Sequence, residues 1–370
     1  MKRIYSIDLV RGLVMIIMAL DHVRDLLHTS SITQQPTNLD TTTSLLFFTR
    51  WITHLCAPTF VFLSGVSAYI SMERRNDRKA MRAFLLTRGL WLVVLEFTLI
   101  NFGMFFDVHF KVFIFDVIAA IGVGFICLGL LLNCSVRTIA IIGLGILFLH
   151  NLVPLPPFFA PKAFPYGDRL FVVGYPPIPW LGVMLVGFAS GRLFGMESAR
   201  QRFLKIGAAS IGLFVILRFV NIYGDSLPWS HQKNGLFTFL SFINLSKYPP
   251  SLDFCLVFLG IMFLILSAAQ GIQNKWTEAV CVYGKVPLFY FLVHWYIIHP
   301  LVFLMIFLQG FKTSDMRFGF NFGRPQTGSG IPLWGVYLVW IGLVAVMYPV
   351  CKWYGRYKES HREKTWLRYL

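Results

Sequence analysis

Charged residues are scarce in this chain. Asp, Glu, Lys and Arg together make up 14% of its 370 residues, whereas an average soluble domain has roughly 25%. Hydrophobic residues make up 56%, and the mean hydropathy is +0.65. This composition excludes an ordinary soluble globular protein and predicts a protein that crosses a membrane several times.

Cysteine is also rare, and the residue spacings that bind metals are missing. The six cysteines are scattered, without a Cys-x-x-Cys pair, and the sequence contains no His-x-x-x-His or Glu-x-x-His pair. We therefore interpret the cysteines as packing residues and predict that the protein uses no metal.

Acidic residues are outnumbered by basic ones, with 17 Asp and Glu against 33 Lys and Arg and a net charge of +16. Six basic residues lie between positions 74 and 88, six follow Val350, and none lies between His28 and Leu45. Because cytoplasmic loops of membrane proteins carry the excess of Lys and Arg, the pattern predicts that both termini are cytoplasmic. It gives a membrane-orientation signal, and we do not expect nucleic acid as a partner.

The apolar runs predict about ten membrane-spanning helices, since each is near or above the ~18 to 20 residues that cross a ~30 Å hydrocarbon core. The predicted spans are residues 9–28, 46–70, 84–106, 112–132, 138–152, 177–194, 204–223, 252–269, 286–308 and 333–352. The first span is too long and too ionised for a cleavable signal peptide. We expect an all-α membrane bundle of roughly nine to twelve helices, in one domain over residues 1–370.

Three long connections, 153–176, 224–251 and 309–332, are rich in Pro, Gly and aromatic residues. Segments this apolar do not float freely in water. We therefore expect them to fold back as a lid over the outer ends of the helices.

The first helix, SIDLVRGLVMIIMALDHVRDLLH, is otherwise aliphatic but holds seven ionisable residues: Asp8, Arg11, Asp21, His22, Arg24, Asp25 and His28. Most of them share one face of the helix at heptad-like spacing. Arg11 and His22 lie about 16 Å apart along the axis, at ~1.5 Å per residue. Ionisable groups inside a membrane are costly and usually face a water-filled cavity or a partner helix. This stripe predicts a functional role for His22.

Other predicted helices contribute polar residues at a matching depth. They are Arg50, His54, Glu96, Asn101, Asp116, Lys247, Tyr248, Ser251, Asp253, Tyr290, His294 and His299. We expect several of them to converge on one polar chamber near the outer surface. Structural roles are open alternatives for some: His54 capping a buried carbonyl, Glu96 pairing with Arg88, and an ion pair between Asp8 and Arg11.

Five sequence blocks occur in an order that is specific when they are taken together. They are SIDLVRGLVMIIMALDH, THLCAPTFVFLSGVSAYI, YPPIPWLGVMLVGFASGRLF, KYPPSLDFCLVFLG and YGKVPLFYFLVHWYIIH. Together they resemble the bacterial membrane proteins of the heparan-α-glucosaminide N-acetyltransferase catalytic-domain family, over nearly the whole chain. The lysosomal member of that family takes acetyl from cytosolic acetyl-CoA and delivers it to an amino sugar across the membrane. The resemblance implies the same reaction class for this chain.

The resemblance leaves two candidates for the catalytic base. Membrane O-acyltransferases of the type-three family, which look like distant relatives, carry an Arg in the first helix and a catalytic His eleven residues later, an interval that Arg11 and His22 reproduce. The lysosomal enzyme has Asn at the position that matches His22 and its catalytic His in the following loop. In this chain that loop offers TSSITQQPTN, with His28 just before it.

Acyl transfer from a thioester needs a base, donors for the oxyanion and cations for the CoA phosphates. We assign catalytic roles to His22, Asp21, Asp25, His28 and His54. We assign acetyl-CoA binding to Arg11, Arg88 and Asp8. We assign substrate binding to Arg50, Glu96, Asn101, Asp116, Lys247, Tyr248, Ser251, Asp253 and His294.

The expected function is transfer of acetyl from cytoplasmic acetyl-CoA to an amino or hydroxyl group of an external sugar or glycan. We expect it in a bacterial cytoplasmic membrane, in contact with lipids, and a homodimer is left open. The alternatives are a transporter that couples protons through the same chamber and a non-catalytic binding or assembly role.

Overall fold

The computed structural model of the chain describes residues 4–75, 77–153, 156 and 159–368. Within these ranges the chain forms fourteen α-helices and three short strands, with turns of 3₁₀ and π helix between some of them. The helices are α1 (Tyr5–Leu27), α2 (Ser44–Thr53), α3 (Cys56–Arg75), α4 (Arg78–Leu95), α5 (Asn101–Phe105), α6 (Val117–Leu131), α7 (Val136–Leu149), α8 (Pro177–Ser190), α9 (Ala199–Val220), α10 (Gly235–Ile243), α11 (Leu252–Ala268), α12 (Lys275–Gly284), α13 (Pro287–Leu308) and α14 (Leu333–Ser360).

Six helical segments of the described residues are long and apolar enough to cross a membrane. They are Ser44–Arg75, Arg78–Phe105, Pro177–Gly195, Ala199–Val220, Pro287–Leu308 and Leu333–Ser360. The other predicted spans correspond to the ionised α1 and to three shorter apolar helices, Val117–Leu131, Val136–Leu152 and Leu252–Ala268. The mainly helical membrane fold is therefore confirmed, whereas ten crossings and the orientation of the termini stay predictions.

The fold is not purely helical, because part of the predicted span 112–132 is extended. Strand β1 (Val112–Phe115) pairs in parallel with β3 (Arg169–Val173), which pairs in antiparallel fashion with β2 (Lys162–Tyr166). Aromatic and β-branched residues such as those of β1 favour a strand once a partner edge is present. β2 and β3 lie in the predicted connection 153–176, of which residues 154, 155, 157 and 158 lie outside the described residues.

Helix α1 packs against α2, α3, α12, α13 and α14. Two glycines, one on α1 and one on α12, allow these two helices to approach each other most closely. A Cβ atom on Gly284 of α12 would lie 1.8 Å from the carbonyl oxygen of Asp8, and one on Gly12 would lie 2.0 Å from that of Val280. Only glycine permits such backbone contact, as in other tightly packed membrane helices. This contact fixes the depth of the polar residues of α1.

The C-terminal end of α1 is held by one buried side chain, Arg324. Its guanidinium donates to the carbonyl oxygens of Leu26 and His28, at 3.1 and 3.0 Å, and to Ser31 Oγ at 2.8 Å. It also donates to Ser329 Oγ and to the Ser329 carbonyl. Carbonyls at a helix end need partners from outside the helix. Arg324 supplies them and ties part of the connection 309–332 to α1.

Candidate active site

A chamber of about 380 Å³ lies beside the C-terminal half of α1, at the end of the bundle that carries the sheet. The sheet covers it, since Ile114, Ala163, Val172 and Val173 border the cavity. Seven of the predicted site residues also line it: Asp21, His22, Asp25, Arg50, Asp116, Lys247 and Tyr248. Residues from four separate parts of the sequence thus meet around one space, which we call the polar chamber.

Buried ion pairs organise one wall of the polar chamber. Arg24 donates to Asp21 at 2.7 Å and to Asp25 at 2.6 Å, and Arg50 of α2 donates to the other carboxylate oxygen of Asp21. Arg50 also lies within 3.4 Å of the Tyr248 hydroxyl. A buried carboxylate is stable only when its charge is matched and its oxygens are hydrogen-bonded. Both oxygens of Asp21 are thus taken up by guanidinium groups.

His22 is held by α13 rather than by a carboxylate. Its Nδ1 lies 2.6 Å from Nε2 of His294. Its ring stacks on Trp295, with centroids 4.2 Å apart, and meets the edge of Phe291 at 6.1 Å. The ring is half-buried and borders the polar chamber, so part of it is open to a substrate.

Another wall of the polar chamber combines a cation with aromatic rings. Lys247 Nζ lies 5.8 Å from the ring centroid of Tyr175 and 5.1 Å from that of Tyr248, which is within cation–π range. Burial, followed by the neighbouring Tyr248, raises the pKa of the Tyr175 hydroxyl. Burial also raises the pKa of the Asp116 carboxyl, against the charge of Lys247. This wall offers the edge-to-face pair of Tyr175 and Tyr248, whose ring planes differ by 80°, beside groups of both charges, which suits a polar ring such as a sugar.

A second cavity, of about 310 Å³, lies toward the other end of α1. We call it the basic cavity, because its polar lining is dominated by Arg11, Arg88, Lys285 and Lys358. Three serines of α3, Ser64, Ser67 and Ser71, also line it.

Arg11 is oriented within the basic cavity by α3, since it donates to the Leu63 carbonyl at 3.0 Å and to the Ser67 hydroxyl. Lys285 and Lys358 also line an adjoining cleft of about 370 Å³, together with Arg362 and Lys364. Cationic groups in this arrangement fit a ligand with several phosphates.

The two cavities approach each other at a thin aromatic layer. Phe291 lines the basic cavity, and Trp295, one helical turn later, lines the polar chamber. Four residues of helix span about 6 Å. At the start of α6 the boundary between the cavities falls between two consecutive residues, since Asp116 borders the polar chamber and Val117 borders the basic cavity. His22 therefore stands where the two spaces come closest.

Two of the predicted catalytic histidines lie away from the lining of the polar chamber. His28 follows α1, where its Nδ1 lies 3.0 Å from Ser30 Oγ and its carbonyl accepts from Arg324. His54 is buried at the junction of α2 and α3 and packs on Phe254 and Phe258.

Four of the predicted substrate-binding residues also have other surroundings. Glu96 is buried in a π-helical turn, Glu96–Ile100, and accepts from the backbone N–H of Ala119 at 2.9 Å. Asn101 exchanges hydrogen bonds with the backbone of Ile114 and so anchors β1. At the start of α11, Ser251 caps the helix and donates to Asp225, while Asp253 is buried against Gly224.

Trp295, Phe291, Tyr175 and Arg324 take part in the site or its support but are not among the residues predicted from sequence. Aromatic residues in an apolar helix give no periodic signal of their own. For Trp295 and Phe291 the available signal was that they lie four residues apart on one helix and flank His294. Arg324 stands out only as an arginine in an otherwise apolar connection.

The two cavities differ in charge, since cations dominate the polar lining of the basic cavity, whereas the polar chamber is lined by groups of both charges. Among the described residues no group of three or more His, Cys, Asp or Glu side chains is placed to hold a metal ion. The site instead combines a base, cations for an anionic ligand and an aromatic wall.

Comparison with known proteins agrees with this chemistry. The family model described as "Heparan-alpha-glucosaminide N-acetyltransferase, catalytic" matches residues 3–232. No curated protein matches the chain significantly. The matched range begins before α1 and ends before α10, so it includes His22, Arg50 and the whole sheet.

Proposed function

The chain belongs to the heparan-alpha-glucosaminide N-acetyltransferase catalytic family, and from this premise we propose that it moves acetyl from acetyl-CoA to a sugar across a membrane. The family indicates a membrane acetyltransferase. The donor, the acceptor and the side on which each binds are our proposal. The observation that carries it is the meeting of a basic cavity and a polar chamber at His22.

The donor enters from the basic cavity in this proposal. Arg11, Arg88, Lys285 and Lys358 bind the phosphates of CoA, and the apolar lining beyond them receives the pantetheine arm. The clusters of Lys and Arg at 74–88 and after Val350 support a cytoplasmic location for this end and for both termini. The membrane is then a bacterial cytoplasmic membrane, and residues 1–370 act as a single domain.

The acceptor enters the polar chamber from the opposite side. A sugar ring lies against Tyr175 and Tyr248, and charged groups such as Lys247 and Asp116 bind its polar substituents. His22 is the base, and His28 supports the end of α1. Acceptors with an amine or a hydroxyl both fit this chemistry.

The reaction balances without a further reagent. The amine or hydroxyl of the acceptor loses a proton to His22, and the acceptor atom forms a bond to the thioester carbonyl carbon. The C–S bond then breaks, and the CoA sulfur takes the electron pair and regains a proton from His22. A two-step route through acetyl-His22 uses the same groups in sequence.

The proposal is tested with proteoliposomes that receive acetyl-CoA with a ¹³C-labelled acetyl group, together with glucosamine and an extract of bacterial glycans. Mass spectrometry should find the label on a sugar, or on His22 itself when no acceptor is present. The variant His22→Ala should lose transfer but still be stabilised by CoA, while His109→Ala, at an exposed loop residue, should behave as the wild type.

Retained transfer by His22→Ala would remove His22 from the role of base. A wild-type protein that releases no CoA and labels neither sugar nor protein would overturn the acetyltransferase. Uptake of glucosamine in the absence of CoA would indicate a transporter.

A further inference from the structure

The hydrogen bond between His22 and His294 has a definite direction, with one ring as the donor and the other as the acceptor. The two nitrogen atoms, Nδ1 of His22 and Nε2 of His294, lie 2.6 Å apart, so one of them carries the proton and the other accepts it. The ring centroids are 4.9 Å apart and the ring planes differ by 25°. This is a close, well-ordered pair contributed by two helices, α1 and α13.

The other nitrogen of His294 decides which ring donates. Nδ1 of His294 lies 3.2 Å from the carbonyl oxygen of Tyr290, which can only accept a hydrogen bond. The proton of His294 is therefore on Nδ1. His294 is completely buried, where a neutral ring with a single N–H is favoured. Nε2 of His294 is then the acceptor, and Nδ1 of His22 is the donor.

This direction of the hydrogen bond leaves the second nitrogen of His22 unprotonated, with a lone pair that can accept a proton. Among the described residues Nε2 of His22 makes no hydrogen bond, and the half-buried ring borders the polar chamber. Stacking on Trp295 and the edge contact with Phe291 fix the plane of the ring. The carboxylate next in sequence, Asp21, is engaged by Arg24 and Arg50.

We propose that His294 is a positioning residue whose Nε2 accepts a hydrogen bond from Nδ1–H of His22 and so keeps Nε2 of His22 unprotonated and directed toward the acceptor. This inference rests on the proposed function and changes the role of His294 from substrate binding to control of the base. The acceptor's proton goes to Nε2 of His22, and from there to the departing CoA sulfur. His294 keeps its own proton throughout.

The first test reads the tautomer of His22 without any reaction. Protein with ¹⁵N-labelled histidine is studied by NMR in lipid bilayers, and the His22 signals are assigned with His22→Gln. The wild type should show His22 with a proton on Nδ1 and none on Nε2. His294→Gln, whose amide oxygen can accept the same hydrogen bond, should preserve this state, and His294→Leu should lose it.

The second test measures acetyl transfer to glucosamine. His294→Leu should lower kcat about 10²–10⁴-fold, the range for loss of a correctly protonated base, with little change in KM for acetyl-CoA. His294→Gln should recover most of this loss. His299→Leu is the matched control, because His299 is equally buried on α13 but stacks on Phe106 instead of His22, and it should keep the wild-type kcat.

A proton on Nε2 of His22 in the wild type, or full kcat in His294→Leu, would overturn the inference. Equal losses of kcat in His294→Leu, His294→Gln and His299→Leu would show a general packing effect and would also overturn it. A wild-type protein without acetyl transfer would refute the proposed function, while the NMR would still decide whether His294 sets the tautomer of His22.

Discussion

Phe291 forms part of the layer between the two cavities. It lines the basic cavity, and its ring centroid lies 6.1 Å from that of His22 and 6.3 Å from that of Trp295. We expect Phe291→Ala to open a path for water to the thioester, so that CoA is released without an acceptor at an increased rate. Thiol release from acetyl-CoA in the absence of sugar measures this effect.

The control is Phe289→Ala on the same helix, since the ring of Phe289 stacks on Tyr354 at 3.9 Å. Phe291→Ala removes a buried ring, at a cost of about 3–5 kcal/mol of unfolding free energy, and Phe289→Ala, which removes a half-buried ring, should cost less. An equal rate of acceptor-independent release in the two variants would show that Phe291 is not a barrier.

Asp21 is the shared partner of two buried cations. Its carboxylate accepts from Arg24 and Arg50, whose side chains are 2% and 13% exposed. We expect Asp21→Asn to lower the free energy of unfolding by about 3–5 kcal/mol, because it leaves the buried charge of Arg50 without an anion, whereas Arg24 keeps its contact with Asp25. Asp25→Asn is the control, since the side chain of Asp25 is 41% exposed, and it should cost about 0–1 kcal/mol. The measurement is denaturant unfolding. A larger loss of unfolding free energy in Asp25→Asn than in Asp21→Asn would contradict this prediction.

The C-terminal end of α1 depends on the connection that Arg324 anchors. Burial lowers the pKa of Arg324 to about 10, and its guanidinium is bonded to backbone and hydroxyl oxygens on both sides. We expect Arg324→Met to release residues 309–332 from α1, and hydrogen exchange of their amides to increase at least about tenfold, as for a locally opened segment. Arg317→Met, in the same connection but bonded only to the neighbouring carbonyls of Ser314 and Met316, should leave exchange unchanged. Protection that persists in Arg324→Met would show that other contacts hold the connection.

The helices were predictable from sequence because a backbone in hydrocarbon must satisfy its own hydrogen bonds. Most predicted spans correspond to a helix or to the greater part of one, whereas 46–70 covers α2 and α3, 84–106 covers α4 and α5, and 112–132 begins with β1. β1 was missed, since a short apolar run of Val, Phe and Ile is compatible with a helix or a strand, and its partner β3 lies some fifty residues later. The extended structure of β1 depends on its pairing with β3, which the local sequence of β1 does not reveal.

The polar chamber was predictable in part for a related reason. Asp21, His22 and Arg50 stand out because charge is rare in an apolar helix, and Lys247 stands out just before the apolar α11. The structure brings all four to one cavity. Ser251 and Asp253 have the same polar signal but lie at the start of α11, where capping and loop contacts use them. The sequence shows which residues are polar, but the direction in which each side chain points depends on how the helices pack.

In the part of the chain that the structure describes, α1, α13 and the start of α6 contribute residues to both the basic cavity and the polar chamber. In the proposed function a donor binds at one end and an acceptor at the other, an arrangement that differs from the matched half-sites of an inverted-repeat transporter. Binding of CoA at the basic cavity must then stabilise the folded bundle by mass action, by about 2.7 kcal/mol when its concentration is a hundredfold above Kd. Glucosamine alone should not compete with CoA for this site.

Thermal unfolding of the purified protein with and without CoA tests this arrangement. We expect CoA to raise Tm in the wild type, and Arg88→Gln combined with Lys358→Gln to remove most of the increase, because both side chains line the basic cavity. Lys162→Gln alters a cation of the polar chamber instead and should keep the full increase. If Lys162→Gln lost the CoA effect and the double variant kept it, the donor site would lie in the polar chamber and the direction of transfer would be reversed.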